Sequence, residues 1–480
     1  MTIPHETPAA RNGFRKDMQT RHLVMLAIGG TIGTGLFLAS GFTVSQAGPL
    51  GAVIAYALGA LMIYCVMTCL GELAVQMPET GSFSHYASRF IGPATGYTVA
   101  WLYWLSWAVA IGSELLGAGV LMERWIPGVP VWIWAALFGV VVTVNNLFSV
   151  RAFAETEFWL SLIKVITVLV FIIVGALAVF GVLGHTDPAT TGLANFHREG
   201  WFPTGFGSIA LALLAVAFAF AGTEVIGIAA GESRNPQRDI PRALRATVVR
   251  LVLFFIGTIL VICLLLPREQ AGLSESPFVT VFSNIGIPYA ADVMNFVIIT
   301  ALISAANSGL YAAARMLWSL GDQGQLPRLF ARLTRRGTPV NAILFSMLGG
   351  VAALMSSIWA ADTVYLVLVS IAGFAIVAVW LSIAACQMLF RRAWLRDGGR
   401  LEDLGYRVRW YPWAPLGALL SCTLACIGIA FDPQQRIALY VSIPFIALCY
   451  AGYYATALYK SRLARHENTE ALPAELGERA

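Results

Sequence analysis

The chain has 480 residues, of which 58% are hydrophobic and only 12% charged. A soluble globular protein carries about 25% charged residues, so this composition excludes a soluble fold and describes a polytopic protein embedded in a lipid bilayer. The formal net charge of +5 comes from basic residues dispersed among loops and points to no nucleic acid.

The N-terminal residues are polar and basic (Arg11, Arg15, Lys16, Arg21) and lack the short apolar core and small-residue cleavage site of a signal peptide. Residues 1–20 are therefore expected to be a tail. An apolar run follows at about 23–44, long enough to cross a bilayer, which needs roughly 20 apolar residues as helix. It contains Ala27-Ile28-Gly29-Gly30-Thr31-Ile32-Gly33-Thr34-Gly35-Leu36-Phe37. Gly29, Gly30, Gly33 and Gly35 are poor chemistry for an uninterrupted helix, at about 1 kcal/mol each relative to Ala. Irregular backbone at membrane depth is tolerated only where it is buried in protein or lines a cavity. Two readings follow. Residues 29–35 are an unwound segment offering bare N–H and C=O groups to a small polar ligand, or a seam of small residues for close helix packing. The stretch alone does not choose.

Further apolar runs lie at about 50–76, 97–122, 130–149, 157–183, 206–230, 246–266, 288–318, 341–359, 363–390, 412–430 and 437–457, giving twelve spans. An even number puts both termini on one side. Loops on that side hold Arg234, Arg238, Arg242 and Arg245, then Arg328, Arg332, Arg335 and Arg336, then Arg391, Arg392, Arg396, Arg400, Arg407 and Arg409. The opposite loops show little beyond Arg124, Arg198, Arg268 and Arg436. The positive-inside rule makes the terminal side cytoplasmic. Nothing divides the chain further, so 21–459 reads as one membrane domain and 460–480 as a polar tail. The seven cysteines all lie within apolar runs without metal-type spacing. They read as small membrane-buried residues, not a disulfide framework or metal site.

The sixth span repeats the anomaly of the first. It contains Phe218-Ala219-Phe220-Ala221-Gly222-Thr223-Glu224-Val225-Ile226-Gly227, a second glycine-interrupted helix that also carries an acid. Spans 1 and 6 being the broken ones fits two five-helix halves, about 21–183 and 206–390, with two helices added at 412–457. Five is odd, so the second half runs inverted relative to the first. The fold class expected is thus all-α, twelve transmembrane helices in a five-plus-five inverted repeat. Paired interrupted helices in corresponding positions of inverted halves point to a transporter site near the bilayer midplane. The pairing favours the ligand reading of 29–35.

Ionisable residues inside spans cost roughly 2.5–3.5 kcal/mol each on insertion scales, so each is a functional candidate. Glu114 sits mid-span 3, Lys164 in span 5 and Glu224 at the break in span 6. Glu224 reads as a proton-titrating or amine-facing acid, with a structural hydrogen bond as the alternative. Lys164 serves either coupling or an ion pair, and Glu114 either a substrate or its backbone and Lys164 neighbours. Glu72, Glu232 and Arg315 read as snorkelling or gate ion pairs. An opened first helix suits an α-amino acid: free N–H groups of the inner half-helix hold a carboxylate, and free carbonyls of the other half accept from an ammonium. Phe218 and Phe220 either cover the side chain or simply pack. The six histidines fall in termini, loops or span ends with no paired spacing, and no nucleophile–base pattern stands out, so an enzyme is not expected. A channel is the other class; channels tend to show symmetric filter rings or small repeated subunits, and a single pseudo-repeat favours alternating access.

The residues 28–37, with Gly71-Glu72-Leu73, Pro78-Glu79-Thr80-Gly81-Ser82-Phe83, Gly222-Thr223-Glu224-Val225-Ile226-Gly227 and Gly231-Glu232-Ser233-Arg234-Asn235-Pro236, resemble the bacterial amino acid transporters of the amino acid–polyamine–organocation superfamily. The similarity runs from about Arg21 to Tyr454. Within that family, S-methylmethionine permeases look similar at 92–101, 304–311 and 431–439, and lysine-specific permeases look similar but less so. Glu114 departs from the S-methylmethionine pattern; acids there occur in lysine, GABA and aromatic amino acid permeases. The resemblance implies an inner-membrane proton symporter with the inverted-repeat fold and no cofactor or metal. It places the substrate's carboxylate and amino group on Thr31, Ile32, Gly33, Thr34, Gly35, Phe218, Ala221 and Glu224. It also places Lys164 where sodium-coupled relatives hold an ion, so Lys164, Glu224 and Glu114 become the proton-coupling candidates. The expected cargo is a cationic α-amino acid such as S-methylmethionine, with lysine as the alternative; an amino acid channel or transporter-like sensor is the competing class.

Overall fold

A computed structural model describes residues 18–148, 150–183, 192–271, 276–359, 361–433 and 435–477. Nearly all of the tail expected at 1–20, and the side chains expected beyond 458, lie outside the described residues. The described elements are helices, and their one strand-like contact is a bridge between Met18 and Ser233. Nine of the helices are long and apolar enough to cross a membrane. Two shorter apolar helices, Val131–Asn146 and Val340–Ala352, and the interrupted first span complete the twelve expected from the sequence.

The first span is Thr20–Thr31 followed by Thr34–Phe37, with Ile32 and Gly33 out of helical geometry between them. The chain then runs on as Ala39–Gln76, but Gly48 at φ 74°, ψ 170° stands before Pro49 and separates span 1 from span 2. Glycine supplies the positive φ and proline lacks the N–H that a continuous helix needs there. The sixth span is Gly207–Phe220 and Val225–Ala229, joined through a turn in which Gly222 has φ 100°.

Among the described residues, spans 3 (Pro93–Met122) and 8 (Ala290–Asp322) make the most extensive helix pairing, and span 10 (Ala361–Arg396) also packs on span 3. The apolar window of the sixth span is 78% buried while that of Ile437–Leu458 is 17% buried. Broken helices therefore sit at the centre and the last helix faces lipid. Span 5 (Val150–Val179) shows how the sequence sorts its two sides. Ala154, Glu157, Ser161, Lys164, Val168, Phe171, Gly175 and Ala178 are buried at spacings of three and four, one helical face. Trp159, Ile166, Val170 and Ile173 are exposed on the other. Span 5 begins well before the apolar run expected from 157, and a short helix, Ser82–Phe90, precedes span 3. In the outer segment expected as loop, Pro277–Ile285 is helical.

Candidate substrate site

The two breaks lie against each other. A Cβ placed on Gly222 would come 2.6 Å from the carbonyl carbon and oxygen of Gly30. A Cβ on Gly35 would meet the Ala219 Cα at 2.5 Å, and one on Gly33 would meet Glu114 Oε1 at 2.5 Å and the Ala305 Cβ at 2.9 Å. The glycines thus serve the close packing considered from sequence. They let backbones cross at contact distance, and the crossing frames a cavity.

That cavity is lined by Gly30, Thr31, Gly35, Ser106, Trp107, Ala110, Glu114, Phe218 and Ala221. About 10 Å³ of it is open to the centres of water molecules, the room of a single water. Glu114 is its one charged wall. Its carboxylate accepts from the Thr34 backbone N–H at 3.1 and 3.0 Å and from the Thr34 hydroxyl at 2.9 Å. A carboxylate at the start of a half-helix satisfies N–H groups that the break leaves without intrahelical partners. Glu114 was a candidate on either of two readings, and here it occupies the backbone donor expected to be free for a substrate carboxylate.

The expected free carbonyl of Gly29 is likewise engaged. Lys164 Nζ donates to it at 2.5 Å, from a side chain with no exposure. Glu157 and Glu114 are the acids whose charges act on that ammonium. Glu157 was not singled out from the sequence because it stands at the edge of its apolar run. It is buried, accepts from Ser304 Oγ at 2.5 Å, Asn307 Nδ2 at 2.9 Å and Ser161 Oγ at 3.3 Å, and lies seven residues before Lys164 on the same helical face. The spacing Glu157, Ser161, Lys164 was the signal that could have found it. Asn307 in turn accepts from Asn145 and Asn146 of span 4 at 2.9 and 2.7 Å. Lys164 thus holds the first break, and Glu157, whose Oε1 lies beside Gly29, ties span 5 to span 8 and through Asn307 to span 4.

Of the residues the resemblance assigned to substrate, Thr31, Gly35, Phe218 and Ala221 line the cavity. Ile32, Gly33 and Thr34 do not; they form the break itself. Glu224 takes the arrangement given as its alternative, a structural hydrogen bond. It is not among the residues lining the cavity and accepts from Gly222 N–H at 3.1 Å, Tyr103 Oη at 3.1 Å and Trp380 Nε1 at 3.4 Å, so it holds the second turn together. Phe220 is also packing: its ring stacks on Phe255 at 4.5 Å with 22° between planes. Ser106 and Trp107 were missed, since nothing distinguishes them in an apolar span. The Ser308 side chain lies beside Gly30, and its buried hydroxyl has no hydrogen-bond partner among the described residues. The gate residues form buried ion pairs rather than snorkelling ends: Arg315 donates to Glu232 at 2.7 Å and lies 3.4 Å over the Tyr311 ring, while Arg391 pairs with Glu72. Among the described residues no group of His, Cys, Asp and Glu could hold a metal ion.

A family model described as amino acid permease matches residues 22–463. This chain belongs to the amino acid permease family. The permease is 48% identical to amino-acid permease RocC of Bacillus subtilis (strain 168), over 96% of this chain and 98% of that protein. It is 42% identical to the lysine-specific permease LysP of Escherichia coli (strain K12), over 92% and 93%. It is 41% identical to the histidine permease HisP of Lactococcus lactis subsp. cremoris (strain MG1363), over 92% and 95%. The permease also resembles the crystal structure of the Eremococcus coleocola manganese transporter in complex with an aromatic bis-isothiourea substituted compound. There the TM-score is 0.54 at 12% identity, covering 92% of this chain and 94% of that one, a likeness of fold alone.

Proposed function

We propose that this permease imports an α-amino acid with a cationic side chain across the bacterial inner membrane, coupled to protons, with both termini cytoplasmic. The observation that carries the coupling is Lys164 Nζ on the Gly29 carbonyl, with Glu157 behind it. An ammonium holds the first break more strongly when charged than when neutral. Two five-span halves, about 21–183 and 206–390, then move against each other around the crossing of Gly30 and Gly222.

Glu114 supports the charge preference, being the one ionisable residue lining the cavity. On entry the substrate's carboxylate takes the Thr34 N–H from Glu114, which turns its charge toward the substrate's cationic end. The Ser308 hydroxyl is a further donor beside Gly30. Lysine and S-methylmethionine meet these demands, and so does histidine when protonated; the histidine and lysine permeases among the relatives support the same class.

The test is uptake into proteoliposomes under an imposed pH gradient, with S-methylmethionine, lysine, histidine, methionine and GABA as competitors. Accumulation above equilibrium that collapses with the gradient, and inhibition by the cationic competitors first, is the expected result. Equilibration without accumulation would remove the proton coupling, and preferential inhibition by methionine would remove the role given to Glu114.

A further inference from the structure

Away from the substrate cavity, a groove with about 980 Å³ open to the centres of water molecules lies between span 2, span 7 (Pro236–Leu265) and the segment 397–412. Its far wall is a loop held rigidly by one buried carboxylate. Glu72 accepts from Gln387 Nε2 at 2.9 Å, from Arg391 Nε at 2.9 Å and from the Val408 backbone N–H at 2.6 Å, and the Arg391 guanidinium lies 4.3 Å over the Tyr411 ring. Arg391 is committed to that anchor. Arg245, Arg407 and Arg409 are not: they are exposed, line the groove, and among the described residues no carboxylate bonds to them. Among the described residues none lining the groove is acidic. In the adjoining 401–403 turn, Glu402 is taken up by Arg400 at 2.7 Å.

The same groove opens toward the hydrocarbon. Val249 is 64% exposed on the groove wall, and Leu253, one turn on, is 62% exposed. Trp410 and Trp413 are exposed beside the loop, the placement of aromatic residues at a membrane–water boundary. This end of the helices carries the chain's densest arginine loops, so by the positive-inside rule it meets the cytoplasmic leaflet, where anionic lipids are found. We propose that the groove binds an anionic phospholipid, its phosphate on Arg245, Arg407 and Arg409 and its acyl chains along Val248 and Val249. Arginine favours this ligand because its planar fork matches phosphate geometry bidentately.

Native mass spectrometry of the full-length protein in detergent tests this, titrating phosphatidylglycerol, phosphatidylcholine of the same chains, and inorganic phosphate. The expected result is saturable one-to-one retention of phosphatidylglycerol over both others. Each charge near a membrane surface contributes about fivefold in binding, so Arg245→Gln/Arg407→Gln/Arg409→Gln should weaken retention by on the order of a hundredfold. The corresponding triple lysine variant keeps the charge but loses the planar fork, and should retain the lipid better than the glutamine variant and less well than the unmodified protein. Val249→Glu, which leaves all three arginines in place, should also weaken it. Equal retention of the two lipids by the unmodified protein overturns the proposal without any variant. Full phosphatidylglycerol retention by the triple glutamine variant overturns it too, and phosphate binding as tightly as the lipid would reduce the groove to a simple anion site.

Discussion

Replacing Lys164 with methionine separates substrate binding from proton coupling. The substitution nearly conserves volume while removing the donor that reaches Gly29 O at 2.5 Å. Leaving that buried carbonyl unpaired costs about 1–3 kcal/mol. The substitution also takes the ammonium away from buried Glu157, and removing one partner of a buried charge pair costs about 3–5 kcal/mol. Glu157 keeps its three other donors, Ser304, Asn307 and Ser161. Both effects destabilise and those donors offset part of them, so Lys164→Met should lower the yield of folded protein, and transport is compared per folded molecule in the membrane. In proteoliposomes, a gradient of one pH unit is worth about 1.4 kcal/mol per proton, which supports roughly tenfold accumulation at one proton per substrate. The unmodified permease should accumulate lysine or histidine to about that ratio. Lys164→Met should exchange labelled for unlabelled substrate across the same membrane yet accumulate none. Tenfold accumulation by the variant would refute the coupling role of Lys164, and lost exchange would show that the lysine serves binding instead.

Gly222→Ala should abolish transport and lower the yield of folded protein, because φ 100° costs a side chain about 1–3 kcal/mol and its Cβ would press on the Gly30 carbonyl at 2.6 Å. Gly30→Ala should fold, since its Cβ meets only ordinary contacts at 3.5–3.7 Å from Ser308, Gly222 and Trp107; a raised KM in uptake would record the filled cavity. Arg315→Met should lower the melting temperature of the purified protein through a loss of about 3–5 kcal/mol, the cost of stranding a buried charge, and adding Glu232→Gln should recover much of it. An undiminished loss in the double variant would mean that the pair itself is unimportant. Glu114→Gln keeps an acceptor for Thr34 but removes the charge, so the competition panel should shift from lysine toward methionine; an unchanged ranking would dissociate Glu114 from selectivity.

The span count, the pairing of the two broken helices and the segregation of arginines to one end were all present in one dimension. They depend on hydropathy, on the intrinsic helix cost of glycine and on the price of charge in hydrocarbon, which are local properties. The sequence also marked Glu114, Lys164 and Glu224 as unusual, because an ionisable residue in an apolar run is conspicuous whatever it touches. What it could not do was assign partners. Glu224 and Glu114 look alike in sequence, yet one closes its own turn and the other reaches 80 residues along the chain to cap Thr34. Glu157 sat in view at the end of a span, and only the packing of spans 5 and 8 buried it and supplied its donors. The stretch 29–35 is the clearest case. Its glycines announced an interruption, but whether that interruption served contact or cavity depended on where Gly222, Ala219 and Glu114 arrived, and that is decided by the crossing of helices far apart in the chain.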